Sequence, residues 1–271
     1  MSQIASGISL SDAEFRRIAE IASVEAGLAI PETKKSLVQS RVARRMRALG
    51  IGACANYLET LGQNADETEL LISALTTNVS HFFREKHHFD HLRDGILKET
   101  RQSRLRFWSA GCSNGQEPYS LAMEIIDTIP DHASRDILVL ATDIDRVVLD
   151  KAKRGLYSEN EIEGIPAEYR RKFVQSQPDG SHRISDDVRK LVRFRQLNLN
   201  ASDWPMKGPF DAIFCRNVVI YFDDTTQSRL WPRFHALLRS NGSLMLGHSE
   251  RIHPVAGSGF EAVGVTTYRR L

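Results

Sequence analysis

Five segments of the chain put polar and charged side chains where apolar runs give way to turns. In Phe107-Trp108-Ser109-Ala110-Gly111-Cys112-Ser113-Asn114-Gly115 an apolar run enters a glycine turn and then a helical stretch. Glycines let backbone approach a ligand closely, and the helix N-terminus behind them offers free N–H groups, which is a nucleotide-site layout. The glycines lie four apart, so this is not the G-x-G-x-x-G turn of dinucleotide sites. Asp143 follows the apolar run 137–142, where a carboxylate can accept hydrogen bonds from ribose hydroxyls. It lies 28 residues beyond Gly115, against ~20 in a compact unit, and either it or Asp145 is able to cap the next helix instead. Asn198-Leu199 fall just past the next strand run, where an amide and a backbone N–H can meet an adenine edge or merely form a surface loop. The run 210–222 ends in Arg216-Asn217, with Tyr221 four residues on, at the end of a sheet where substrate chemistry belongs. Finally, in 75–84, Phe82-Phe83 must bury and draw Asn78, Ser80 and Arg84 into the fold, for domain packing or for ligand contact.

Other chemistries fit less well. His81, His87, His88 and His91 include an i, i+4 pair suited to a metal on a helix, but no carboxylate or cysteine set completes it, and no metal is expected. Ser109, Ser113, Asp143 and His248 lack the G-x-S-x-G elbow of a hydrolase. The glycine turn sits nearer the D-x-G-x-G-x-G turn of class I methyltransferases, with Ser109 for the usual acid and Ser113 for the middle glycine.

The elements that must position these residues follow from hydropathy. Residues 9–75 read as helical, with helices starting near Ser11-Asp12 and running over 32–49, 53–61 and 66–75. From Leu105 apolar strand runs (105–110, 137–142, 191–196, 210–215 and 243–247) alternate with helical stretches (116–128, 146–153 and 225–238), the pattern of a mainly parallel α/β sheet. Two late runs, 260–263 and 266–270, suit a closing hairpin. The interval 155–190 is too long for a crossover loop, and Pro178-Asp179-Gly180 between 172–177 and 182–185 predicts a small antiparallel flap.

Composition narrows the partners. The 271 residues hold 36 Lys plus Arg against 34 Asp plus Glu, a net charge of +2, so binding driven mainly by nucleic-acid phosphates is not indicated. Three scattered cysteines give no disulfide framework, and neither a targeting segment nor an 18-residue apolar run is found, so a cytoplasmic location is expected. One local asymmetry stands out. Residues 34–47 hold Lys34, Lys35, Arg41, Arg44, Arg45 and Arg47 with no acid. At ~100° per residue Val38, Val42, Met46 and Leu49 share one face and Arg41, Arg44 and Arg47 lie roughly opposite, as a solvated face or a docking one.

The string Thr77-Asn78-Val79-Ser80-His81-Phe82-Phe83-Arg84 resembles the T-N-x-T/S-x-F-F-R motif of the CheR-type chemotaxis receptor methyltransferases, with Ser80 keeping the hydroxyl where many members have threonine. Trp108 to Tyr119, Phe210 to Phe222 and Gly247-His248-Ser249-Glu250 resemble the family's other blocks, in the same order over nearly the whole chain. The resemblance implies an α/β protein: an N-terminal all-α, receptor-binding domain at 1–75, a linker at 76–92 contributing cofactor contacts, and a Rossmann-like class I methyltransferase domain at 93–271 with an inserted β-subdomain at about 155–190. It implies S-adenosylmethionine as donor, S-adenosylhomocysteine as product, and methyl esters formed on glutamates of the cytoplasmic helical domain of transmembrane chemoreceptors. Motif by motif, it implies cofactor contacts from Asn78, Ser80, Arg84, Glu117, Asp143, Asn198, Leu199, Arg216 and Asn217, with Arg84 and Tyr221 as catalytic residues. Arg41, Arg44 and Arg47 would meet an acidic receptor helix. A monomer is expected, with no nucleic-acid partner and no membrane insertion. Without the resemblance, a same-fold methyltransferase acting on RNA or a small molecule, and a non-catalytic adenosylmethionine-binding module, stay open.

Overall fold

Ser11 opens the first helix with a capping box: its hydroxyl accepts the Glu14 N–H (3.3 Å) while the Glu14 carboxylate accepts the Ser11 N–H (2.8 Å). The computed structural model describes residues 9–76, 78–253 and 258–271; Thr77 of the 75–84 string and the N-terminal stretch 1–8 lie outside them. The chain divides into two units, residues up to 77 with 221–226, and 78–220 with 227–271.

The first unit contains α1 (Asp12–Ala26), α2 (Lys35–Leu49), α3 (Cys54–Gln63) and α4 (Ala65–Leu75). Gly27 and Gly50 end α1 and α2 in the left-handed conformation that glycine adopts without strain. The core joins Phe15, Ile18, Val38, Val42, Met46, Tyr57, Leu61 and Leu71. Leu49 departs from the face predicted for it and is 43% exposed, because α2 reaches its last turn there. Tyr57 donates to Glu67 (2.8 Å), which also pairs with Arg45 (Nε, 3.0 Å), so this buried carboxylate is fully partnered.

In the second unit α5 (Lys86–Leu92) leads into β1 (Arg104–Ala110), α6 (Gln116–Thr128), β2 (Asp136–Asp143) and α7 (Arg146–Arg154). Next come β3 (Leu156–Tyr157), α8 (Glu159–Ile162), α9 (Ala167–Phe173), β4 (Val174–Ser176), β5 (His182–Ile184) and α10 (Asp186–Leu191). The chain closes with β6 (Val192–Gln196), β7 (Phe210–Cys215), α11 (Asp224–Leu237), β8 (Leu238–Leu246), β9 (Phe260–Gly264) and β10 (Thr267–Arg270). The large sheet has the order β6-β2-β1-β7-β8-β10-β9, parallel from β6 to β8 and antiparallel through the closing hairpin. Strand order reverses between β1 and β7, and the carboxyl ends at such a switch point form the ligand crevice of open α/β sheets.

Residues 78–92 pack into the second unit, and Phe82 buries as expected. Phe82, Phe89 and Leu92 are buried in the main core with Phe107, Tyr119, Val139 and Phe214, and Phe82 meets Tyr157 edge-on at 5.1 Å. The flap exists as the three-stranded sheet β3-β5-β4, and Gly180 takes φ +80° in its turn.

Candidate active site

The glycine turn after β1 is fastened to the end of β2. Trp108, buried beside Trp204, Phe210 and Phe234, donates its indole N–H to Thr142 Oγ1 (2.9 Å). The N–H groups of Gly111 and Cys112 both reach the Thr142 carbonyl (2.8 and 2.9 Å). Gly111 has φ +92°, and a Cβ there would stand 2.2 Å from Val218 Cγ2, so conformation and space both demand glycine. Ser113 donates its N–H to Asp143 Oδ2 (2.7 Å) and Asp145 donates its N–H to Oδ1 (3.0 Å), which leaves a lone pair on each oxygen. Burial pushes the Asp143 carboxyl up to about 6, the N–H groups of Asp145, Ser113 and Ile144 opposing the rise. Asp145 supplies the α7 cap, accepting the Val147 N–H (2.8 Å), and also takes the Asn78 amide (2.7 Å). Asp143 is therefore not needed as a cap.

At the end of β7 the Arg216 side chain, 2% exposed, is held between two carboxylates: Nη1 lies 3.1 Å from Glu117 Oε2 and Nε 3.4 Å from Glu85 Oε2. It also donates to the Arg84 carbonyl. Glu117 stands in the first turn of α6, where the helix dipole favours an acid, and accepts the Ser109 hydroxyl (2.7 Å). The serine that replaces the usual acid of the methyltransferase turn thus holds an acid supplied by the next helix. Burial raises the Glu117 carboxyl and Arg216 pulls it back. Arg84 donates to the Val79 carbonyl (3.1 Å), and Ser80 beside it is half-buried.

Asn217 takes φ +58°, and its N–H reaches Glu250 Oε2 (2.8 Å). Past β6, Asn198 Oδ1 accepts the Asn200 N–H (2.8 Å), and Arg233 from α11 holds the carbonyls of Leu199 (3.3 Å) and Ala201 (2.8 Å) while stacking on Trp204. The Leu197 N–H ties this loop to the Asp143 carbonyl (2.9 Å). Asn78 and Asp143 therefore meet through Asp145, Glu117 pairs directly with Arg216, Asn217 is held by Glu250, and Asn198 and Leu199 lie in the loop after β6, whereas Tyr221 belongs to the helical unit, its carbonyl accepting the Ala29 N–H (2.7 Å).

Sequence reading missed Glu85, Arg233 and the part played by Glu250. An acid in a loop carries no signal of its own, and only the adjacent Arg84 and the Gly247–Glu250 block pointed towards two of these. The histidine reading also needs correction, since a carboxylate does join the set: ligand atoms of Glu85, His87 and His88 lie within 4.8 Å of one another. Glu85 already holds Arg216, however, whose positive charge opposes a second cation there.

The arginine face of α2 differs from its helical-wheel picture. Arg44 and Arg47 are exposed, but Arg41 is half-buried and donates to the carbonyls of Leu75 (2.5 Å) and Thr76 (3.0 Å) at the end of α4. Lys35 pairs with Asp12 (2.5 Å) and Arg45 with Glu67.

The donor set suits adenosylmethionine. Ser113 Oγ and Gln116 Oε1, on the turn that opens α6, are buried with no partner, and Asp143 keeps acceptor capacity on both oxygens. A sheet whose order reverses beside this turn, with an acid ending β2, is the ligand crevice of a doubly wound α/β protein and has the polar groups a nucleoside cofactor needs.

Residues 78–269 match the family model of the CheR methyltransferase SAM binding domain and residues 13–76 that of the CheR methyltransferase all-alpha domain. The probable chemotaxis protein methyltransferase of Rhizobium etli is 44% identical over 255 residues, covering 90% of this chain and 95% of the relative. Chemotaxis protein methyltransferase 2 of Pseudomonas aeruginosa is 41% identical over 260 residues (94% and 92%), and the Escherichia coli chemotaxis protein methyltransferase 42% over 253 residues (92% and 87%). The chain belongs to the CheR methyltransferase family, and its activity is S-adenosylmethionine-dependent methylation in chemotaxis. Among the described residues no helix is long and apolar enough to cross a membrane.

Proposed function

We propose that the protein methylates glutamate side chains in the cytoplasmic helical domain of transmembrane chemoreceptors, forming glutamyl methyl esters, and that it does so in the cytoplasm as a monomer. The observation that carries this reading is the family match across both parts of the chain, 13–76 and 78–269. Asn78, Ser80, Arg84, Glu117, Asp143, Asn198, Leu199, Arg216 and Asn217 hold the cofactor, Asp143 accepting from ribose hydroxyls through its remaining lone pairs. When bound, S-adenosylmethionine supplies an electrophilic sulfonium methyl group.

A glutamate is already ionised near neutral pH, so no general base is required, unlike alcohol methylation. The protein has to align the carboxylate, hold it still and exclude water, because charges that are neutralised in the transition state are better solvated in the ground state. Arg84 and Tyr221 orient the carboxylate. Too strong a pair with Arg84 would blunt the nucleophile, and Arg84 is already drawn towards the Val79 carbonyl and Glu85. Residues up to 75 dock the receptor, with Arg44 and Arg47 facing its acidic helix. Incubation with methyl-labelled donor and a receptor cytoplasmic fragment tests this: base-labile label in the receptor is expected, and base-stable label, or label in added RNA instead, refutes it.

A further inference from the structure

We propose that Glu250 is the positioning residue of the loop that carries Arg216 and Asn217, acting on the cofactor site through a clamp of backbone N–H groups; this rests on the cofactor reading of those two residues. Glu250 is 3% exposed. Its Oε2 accepts the N–H groups of Gly247 (2.5 Å) and Asn217 (2.8 Å), and its Oε1 those of Val218 (2.8 Å) and Ile220 (3.2 Å). Four donors on two oxygens require a side chain that only accepts, which among acids is the ionised carboxylate. Backbone N–H groups converging on an anion form a nest, and here the anion is a side chain 33 residues downstream of Asn217.

The clamp fixes a conformation the loop would not choose by itself. Asn217 sits at φ +58°, a left-handed state that asparagine tolerates but an unsupported loop populates only in part. Arg216, the preceding residue, is thereby aimed at Glu117 and Glu85. Two glycines press on the same loop. A Cβ at Gly247 would lie 2.7 Å from both Asn217 N and Glu250 Oε2, and a Cβ at Gly111 would meet Val218 Cγ2. Glu250 needs Gly247 beside it in order to reach all four donors. The Gly-His-Ser-Glu block thus acquires a physical role: its first and last residues build the turn on the neighbouring strand end.

Glu250→Gln tests the clamp, because the amide is nearly isosteric yet turns an NH2 group towards two of the four N–H donors. Two readouts are taken on the full chain: hydrogen exchange of residues 217–220 and 247, and calorimetric affinity for S-adenosylhomocysteine. Exchange in the loop is expected to accelerate while the helices of 12–75 keep wild-type protection, and affinity is expected to weaken roughly 10- to 100-fold. Initial rates should show a raised KM for S-adenosylmethionine with a much smaller change in kcat. Should Glu250→Gln not fold, Gly247→Ala keeps the charge and crowds the same contact, and its loop exchange is expected to rise likewise. Unchanged loop exchange in the folded variant overturns the inference, whatever the affinity does. If the wild-type protein itself binds no S-adenosylhomocysteine, the cofactor reading fails, and loop exchange still decides the role of Glu250.

Discussion

Replacing Asp143 by asparagine separates what the carboxylate does for binding from what it does to stability. Burial has moved this carboxyl from an ordinary 3.8 up to about 6. The folded state therefore holds more protons than the unfolded chain between those values, so the contribution of Asp143 is most favourable below 3.8 and is lost as pH rises to 6. At pH 7 the ionised group costs about 3 kcal/mol relative to its unfolded reference. Asparagine removes that cost, but its NH2 must face either the Ser113 or the Asp145 N–H, leaving one donor unmet at about 1–3 kcal/mol. The two terms nearly cancel, and the melting temperature at pH 7 is expected within about 4 °C of wild type. Affinity does not share this balance. A carboxylate accepts from two ribose hydroxyls and asparagine from one, so the loss of a charge-assisted bond weakens S-adenosylhomocysteine binding by roughly 10- to 150-fold. Calorimetry between pH 5 and 8 should also show wild-type affinity falling below about pH 6 and the variant flat. An asparagine variant that binds as tightly as wild type, or wild-type binding that strengthens as pH falls, would refute the reasoning.

Four further outcomes follow from the geometry. Arg216→Met leaves Glu117 and Glu85, each 11% exposed, without their shared cation and should cost about 2–4 kcal/mol in urea unfolding, with Glu117→Gln in the same chain restoring part of it. Gly111→Ala, at φ +92° and against Val218, should weaken S-adenosylhomocysteine binding by at least about tenfold, while Gly52→Ala, with open space around it, leaves binding unchanged. Arg41→Ala should lower stability by about 1–2 kcal/mol through the α4 carbonyls it serves. Arg44→Ala with Arg47→Ala should leave stability within about 0.5 kcal/mol and slow receptor methylation, most at low salt.

Much of the scaffold was legible because its signals are local. The turn at 111–115 and helix α6 appear where glycine and hydropathy placed them, since φ above zero at Gly111 and Gly115 needs no distant partner. Pro178-Asp179-Gly180 marked the flap for the same reason. Strand β3, two residues long, has no periodicity to read, and α8, α9 and α10 owe their place to Ile162, Phe173 and Val188, which bury in the main core. The site was legible where a polar residue ends an apolar strand, as at Asp143 and Arg216. It was not legible where the partner comes from far along the chain: Glu85 meets Arg216 across 131 residues, and nothing in either neighbourhood announces the pair. Arg41 was misplaced because a helical wheel places residues on one helix and knows nothing of the carbonyls at the end of α4.

The most direct test of the account is peptide-mapping mass spectrometry of a chemoreceptor cytoplasmic fragment after incubation with this protein and S-adenosylmethionine. Glutamate side chains are expected to carry one added methyl group, absent without donor and removed by mild base. Unmodified glutamates under conditions where S-adenosylhomocysteine accumulates, or methyl groups found on other side chains, would contradict it.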